Sequence, residues 1–154
     1  LLAFPHPALS FRSRSADAVR VERSVTGAVV DGNSGTRREL IRLLGQMPGL
    51  SVVGEAEDSE EALRMVGDRR PDVVVTDVRW IAPDGATFLR RLARSAPEAG
   101  IVVLTAYLSE RERADLREAG ARAILLKEID SGTLVRTIRT VAARAMAGER
   151  RPEA

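Results

Sequence analysis

The sequence contains no cysteine, one histidine and one lysine among 154 residues. The absence of cysteine excludes disulfides, thiolate catalysis and cysteine-ligated zinc. The only histidine, His6, lies between prolines in the N-terminal stretch, so a Ser-His-Asp triad or a histidine-based metal site in the folded part is excluded. Any acid, base or metal chemistry must therefore use carboxylates.

Long apolar runs and a strong charge of one sign are also missing. No run approaches the roughly 20 residues that cross a bilayer, and no secretion signal stands near the start, so we expect a cytoplasmic protein outside the membrane. The net charge is +2, of which residues 1–24 carry +2 and residues 144–154 carry +1, leaving −1 for the part between. This nearly neutral body predicts no direct DNA binding by the chain.

Patterning divides the chain into one domain and two tails. Residues 1–24 mix proline, serine and arginine without periodicity, which predicts a disordered N-terminal tail. In residues 25–147 five short apolar runs alternate with five helical patterns, which predicts an α/β fold with a parallel sheet and right-handed crossovers. Ser131 is the predicted cap of the last helix, and Ala114 and Leu116 are the predicted apolar face of the fourth. Residues 148–154 are interpreted as a C-terminal tail or a truncated linker.

The third apolar run, which ends at Asp77, is the first candidate for a functional site. Pro71 precedes it and Pro83 follows, and its unbroken valines predict a strand buried on both faces. In open parallel sheets ligands bind beyond the carboxyl ends of the strands, so a carboxylate placed there points to chemistry. The alternative is that Asp77 only stabilises the following turn, as aspartate often does.

Four polar residues close predicted strands and would gather at one edge of the sheet. They are Asp31 after the first strand, Asp77 after the third, Thr105 after the fourth and Lys127 after the fifth. Two carboxylates, a hydroxyl and an ammonium suit Mg²⁺ beside a phosphoryl group, with Asp77 as the nucleophile that becomes an aspartyl phosphate. Lys127 is the only lysine beside 23 arginines, which indicates a site that needs a compact ammonium.

Five separated motifs occur in order at the predicted strand ends. They are Asp31, the run 71–77, Asp84-Gly85, Leu104-Thr105-Ala106 and the run 121–127. Together they resemble the receiver domain of two-component response regulators over roughly residues 25–147. The Lys127-Glu128 junction, without a following proline, is most similar to LuxR-type regulators, although no output domain follows it in this sequence.

The resemblance implies a flavodoxin-like, doubly wound fold with five parallel strands in the order 2-1-3-4-5 and helices on both faces. It implies that a sensor histidine kinase phosphorylates Asp77, with Mg²⁺ bound by Asp31, Asp77 and the backbone carbonyl of Arg79. Thr105 and Lys127 would contact the phosphoryl group. The protein would not be an enzyme but a switch that alters a protein–protein surface to control transcription, with a homodimer possible through the fourth-helix and fifth-helix face.

Three positions depart from the pattern of that family. Gly32 replaces the second of two adjacent acids, so we expect Mg²⁺ to bind at least 10 to 100-fold more weakly. Ile124 stands where an aromatic switch residue is usual. Trp80 lies in the loop after Asp77, where it is interpreted as a lid, as a partner contact or simply as a cover for the edge of the sheet.

These departures leave two alternatives open. One is a degenerate pseudo-receiver that binds partners without phosphorylation. The other, an aspartate-nucleophile phosphatase, is disfavoured because those enzymes carry an acid two residues after the nucleophile, where this chain has Arg79.

Overall fold

The computed structural model of the protein describes residues 24–79 and 84–148. The expected N-terminal tail up to residue 23, Trp80 and residues 149–154 lie outside these ranges. No helix within the described ranges is long and apolar enough to span a bilayer. The strands are β1 (Val25–Val30), β2 (Leu50–Ala56), β3 (Val73–Thr76), β4 (Gly100–Thr105) and β5 (Ala123–Leu126). The helices are α1 (Ser34–Gly45), α2 (Ser59–Arg69), α3 (Gly85–Ser95), α4 (Glu110–Ala119) and α5 (Ser131–Met146).

The five strands form one parallel sheet in the order β2-β1-β3-β4-β5. This confirms the predicted α/β doubly wound order. Val30 of β1 pairs with Thr76 of β3, so the residue after each of these strands lies at the same height on the sheet. The carboxyl ends of the central strands therefore bring Asp31 and Asp77 to one edge.

The central strand β3 is buried because both of its faces are covered. Val74 packs into a cluster that includes residues of α2, α3 and α4. Val73 and Val75 pack on the other side, into a cluster with residues of α1 and α5. All three valines are inaccessible to solvent, and this double burial fixes the strand that carries Asp77.

Side-chain caps begin all five helices. Asn33, Asp58, Asp84, Ser109 and Asp130 each accept a hydrogen bond from a backbone N–H of the first turn. The sequence pattern suggested Ser131 as the cap of α5, and that prediction is wrong. Asp130 stands one residue earlier in extended backbone, where its carboxylate can reach the N–H of Thr133 at 2.9 Å.

The exposed helix α4 has a narrow apolar face. Its buried residues are Leu116 and Ala119, whereas Ala114, expected to face inward, is exposed. The helix begins with a full capping box between Ser109 and Glu112. Local hydrogen bonds thus supply part of the stability that packing does not provide.

Candidate functional site

Backbone hydrogen bonds continue the sheet one residue past its strands and so fix the residues of the site. The N–H of Asp31 donates to the carbonyl of Ala56 at 3.1 Å, and the N–H of Asp77 donates to the carbonyl of Val30 at 3.2 Å. The N–H of Lys127 donates to the carbonyl of Thr105 at 2.8 Å. These hydrogen bonds therefore fix the backbone positions from which the side chains at this edge extend.

The structure brings Asp31, Asp77 and Lys127 together. Lys127 Nζ lies 2.7 Å from Asp77 Oδ2 and 3.3 Å from Asp31 Oδ2. The carboxylate side chains are 1% and 7% exposed for Asp31 and Asp77, and the lysine side chain is 25% exposed. One partly buried ammonium thus bridges two buried carboxylates.

Each of the four carboxylate oxygens has a donor from the protein. Besides the two oxygens paired with Lys127, Asp31 Oδ1 accepts from the N–H of Asn33 at 2.8 Å. Asp77 Oδ1 accepts from the N–H of Arg79 at 3.0 Å. These bonds fix the orientation of both carboxylates.

The charge state of Lys127 follows from competing effects. Burial alone lowers the pKa of Lys127, but the hydrogen bond and charge of Asp77, reinforced by Asp31, outweigh it. The pKa of Lys127 is therefore raised above its ordinary value of 10.5. The side chain remains a cation at neutral pH and can stabilise additional negative charge at Asp77.

Thr105 lies at the same edge but bonds to a different group. Thr105 is fully buried, and its Oγ1 accepts a hydrogen bond from Arg79 Nε at 3.0 Å. The hydroxyl also lies 3.4 Å from the carbonyl oxygen of Tyr107, to which it donates. Thr105 thus joins the carboxylate cluster through Arg79, whose own N–H binds Asp77.

The side chain of Arg79 was missed by the sequence analysis, which considered only its backbone carbonyl. Its guanidinium donates to the carbonyl of Tyr107 through Nε at 2.7 Å and also through Nη2. The guanidinium carbon lies 5.2 Å from the centre of the Tyr107 ring. The sequence places a long cation two residues after the candidate acid, but it does not indicate which acceptors that side chain reaches.

The side-chain oxygens at this edge are of the kind that a hard cation binds, but they are few. Asp31 and Asp77 offer carboxylate oxygens, which Mg²⁺ prefers, whereas Gly32, next to Asp31, has no side chain that could add a further ligand. Three acids do cluster elsewhere in the described residues, at Glu57, Asp58 and Glu61, of which the first two are exposed and the third is half-buried. Asp58 and Glu61 there accept backbone hydrogen bonds at the start of α2, which accounts for that group without a metal.

Comparisons with known proteins agree with this architecture. The family model described as the response regulator receiver domain matches residues 28–139. The DNA-binding transcriptional activator DevR/DosR of Mycobacterium tuberculosis is 38% identical over 115 residues, which cover 75% of this chain and 53% of that protein. The response regulator GacA of Pseudomonas viridiflava is 34% identical over 113 residues, which cover 73% and 53%. The chain thus spans about half the length of the curated relatives it matches.

Solved structures show the same fold. A two-component response regulator of the LuxR family from an Aurantimonas species superposes with a TM-score of 0.73 at 30% identity, covering 78% of this chain and 86% of that one. The signal receiver domain of a response regulator called NarL from Mycobacterium tuberculosis gives a TM-score of 0.71 at 27% identity, covering 79% and 98%.

Proposed function

Because this chain belongs to the response regulator receiver family of two-component systems, we propose that Asp77 accepts a phosphoryl group from a sensor histidine kinase. The observation that carries the proposal is the buried carboxylate of Asp77, held 2.7 Å from the ammonium of the only lysine. A carboxylate with a fixed cation beside it can attack phosphorus while the charge that develops on the phosphoryl oxygens is neutralised.

The transfer forms one bond and breaks one. A carboxylate oxygen of Asp77 attacks the phosphorus of the donor phosphohistidine, the P–O bond forms as the P–N bond breaks, and the imidazole leaves and takes up a proton from solvent. Lys127 stays protonated throughout and turns from its carboxylate partners toward the phosphoryl oxygens. Thr105 supplies a buried hydroxyl to the same group.

Mg²⁺ would be held by Asp31, Asp77 and the backbone carbonyl of Arg79, and weakly, because Gly32 contributes no carboxylate. When bound, the ion supplies positive charge to the transferring phosphoryl oxygens. In its absence Lys127 satisfies both carboxylates, so the ion must compete with an internal cation. This competition supports the expectation of low affinity.

The switch is proposed to act on partners rather than on a substrate, so the chain is not an enzyme. Tyr107 and Leu126 are 65% and 38% exposed, the most exposed large apolar side chains of the described residues. They follow β4 and end β5, which supports a contact surface on this side and a homodimer through the α4 and α5 face.

The transcriptional regulators among the relatives support control of transcription, and the lack of cysteine supports a cytoplasmic location.

The test is phosphorylation of Asp77 itself. We expect incubation with acetyl phosphate and millimolar Mg²⁺ to add one phosphoryl group, seen by intact mass, and the Asp77→Asn variant to remain unmodified. Beryllofluoride should likewise form a stable adduct with the wild type only. Absence of both adducts, with partner binding unchanged, would overturn the proposal in favour of a phosphorylation-independent interaction module.

A further inference from the structure

Arg79 connects the proposed acceptor to the loop between β4 and α4. Its backbone N–H binds Asp77 Oδ1 at 3.0 Å, and its guanidinium binds Thr105 Oγ1 and the carbonyl of Tyr107. The ring of Tyr107 lies against the same guanidinium. One exposed arginine therefore bonds to the acceptor at one end and to residues 105 and 107 at the other.

The guanidinium lies next to the place where a phosphoryl group would bind. The proposed function assigns Thr105 Oγ1 to a phosphoryl oxygen, and that atom already contacts Arg79 Nε at 3.0 Å. An anion bound by the hydroxyl would lie within a short side-chain movement of the guanidinium. Arginine pairs with phosphate through two parallel hydrogen bonds, which are roughly twice as strong as those to a neutral carbonyl.

The charge added by phosphorylation also favours a second cation beside Asp77. Lys127 already serves two carboxylates, and phosphorylation adds about 1.5 to 2 negative charges at Asp77. Gly32 removes one ligand for the cation that would offset them. A second protein cation beside the phosphoryl group is therefore favoured, and Arg79 is the neighbouring one whose present partners are neutral oxygens.

Movement of the Arg79 side chain away from Tyr107 would also affect the start of α4. Ser109 and, more weakly, the charge of Arg79 lower the pKa of Glu112, which completes the capping box of this helix. Ile124 is buried in the apolar core and offers no polar group for a switch. The described contacts thus give a polar route from Asp77 to the β4–α4 loop, through Arg79 to Tyr107.

We infer that Arg79 is a second phosphoryl-binding cation and the coupling residue of this receiver. When Asp77 is phosphorylated, the guanidinium leaves the carbonyl and ring of Tyr107, pairs with the phosphoryl oxygens and frees the β4–α4 loop. This inference rests on the proposed function of Asp77 and adds to it a specific residue and a specific route.

The single tyrosine of the chain provides a direct readout. Protein labelled with 1-¹³C-tyrosine gives one carbonyl resonance, that of Tyr107, which reports the hydrogen bonds that this oxygen accepts from Arg79 and Thr105. The resonance is recorded with and without beryllofluoride and Mg²⁺ for the wild type, Arg79→Met, Arg79→Lys and Arg111→Met. Arg111 is an exposed arginine of α4, so its variant controls for the loss of one positive charge near the loop.

In the wild type we expect beryllofluoride to move the resonance to the position it has in Arg79→Met with beryllofluoride bound, because Arg79 and Thr105 have then both left the Tyr107 carbonyl. Arg79→Met should bind beryllofluoride about tenfold more weakly or worse, Arg79→Lys should be intermediate, and Arg111→Met should match the wild type. An adduct in the wild type with an unmoved resonance, or equal affinity in Arg79→Met, would overturn the role of Arg79 alone. No adduct in the wild type would overturn the function of Asp77 and this inference together.

Discussion

At the residue scale, the ammonium of Lys127 compensates the negative charge of two carboxylates that are almost completely buried. The variant Lys127→Met leaves both without a cation, and we expect it to lower the free energy of unfolding by about 2 kcal/mol at neutral pH. This is less than the 3–5 kcal/mol typical of a fully buried pair, because the lysine is partly exposed. Urea unfolding measures the loss, and addition of Asp77→Asn should recover part of it by removing one unpaired charge.

The same variant predicts a pH dependence. The pKa of Lys127 is raised in the folded protein, so its contribution is fully present below the ordinary value of 10.5 and is lost as pH rises through the folded value. The stability difference between wild type and Lys127→Met should therefore be constant near neutrality and shrink above pH 10.5. A difference that grows at high pH would contradict the ion pairs.

Gly32 is the second residue whose replacement is informative. The variant Gly32→Asp places a carboxylate beside Asp31, and we expect Mg²⁺ to bind at least about 10 to 100-fold more tightly. Calorimetric titration with Trp80 fluorescence as a second reporter measures the change. Gly32→Asn, which adds a neutral oxygen ligand of similar size, is the matched control and should gain much less. Equal affinity in wild type and Gly32→Asp would show that the natural site is not short of a ligand.

The residues of the site were predictable to different degrees. Asp31, Asp77 and Lys127 each follow a strand of the parallel sheet, and parallel pairing brings the carboxyl ends of these strands to one edge. The bond of Arg79 to Thr105 and Tyr107 was not predictable, because a long exposed side chain can reach several acceptors and only the folded loops decide among them.

At the scale of elements, close contact between α5 and β4 depends on Gly100. A Cβ at this position would overlap the side chain of Val141 and lie 3.2 Å from its carbonyl oxygen. We expect Gly100→Ala to lower the free energy of unfolding by about 1–3 kcal/mol, because the backbone of α5 must shift. Gly54→Ala is the matched control, since its Cβ would meet only side-chain atoms of Met65 and Arg69, and the flexible methionine can move. Thermal or urea unfolding compares the two, and equal losses would contradict this packing argument.

The elements themselves were mostly evident from the sequence. β1, β2 and β5 are short apolar runs bounded by turns. α4 lies between Ser109, a strong start signal, and Gly120, a strong stop signal. The start of α5 was misjudged because Asp130 and Ser131 are both good caps. Which of them caps is decided by the backbone conformation of the β5–α5 loop, and sequence does not determine that.

At the scale of the whole molecule, we propose that residues 25–147 form the complete receiver domain. The sheet separates two apolar clusters, and both are built from residues between β1 and α5. A chain shortened to residues 25–147 should therefore keep the urea midpoint of the full chain and bind beryllofluoride within about twofold of it, since apolar burial dominates stability. A large loss on removing residues 1–24 alone would assign that segment to the domain.

The protonation of Lys127 also bears on a side reaction of small activated donors. Acetyl phosphate presents an electrophilic carbon as well as phosphorus, and N-acetylation at that carbon needs an amine with a free lone pair. Lys127 is the only side-chain amine in the chain, and its raised pKa withholds that lone pair at neutral pH. The ion pair that prepares Asp77 for phosphorus thus also shields the pocket from irreversible N-acetylation, a modification that would erase its central cation.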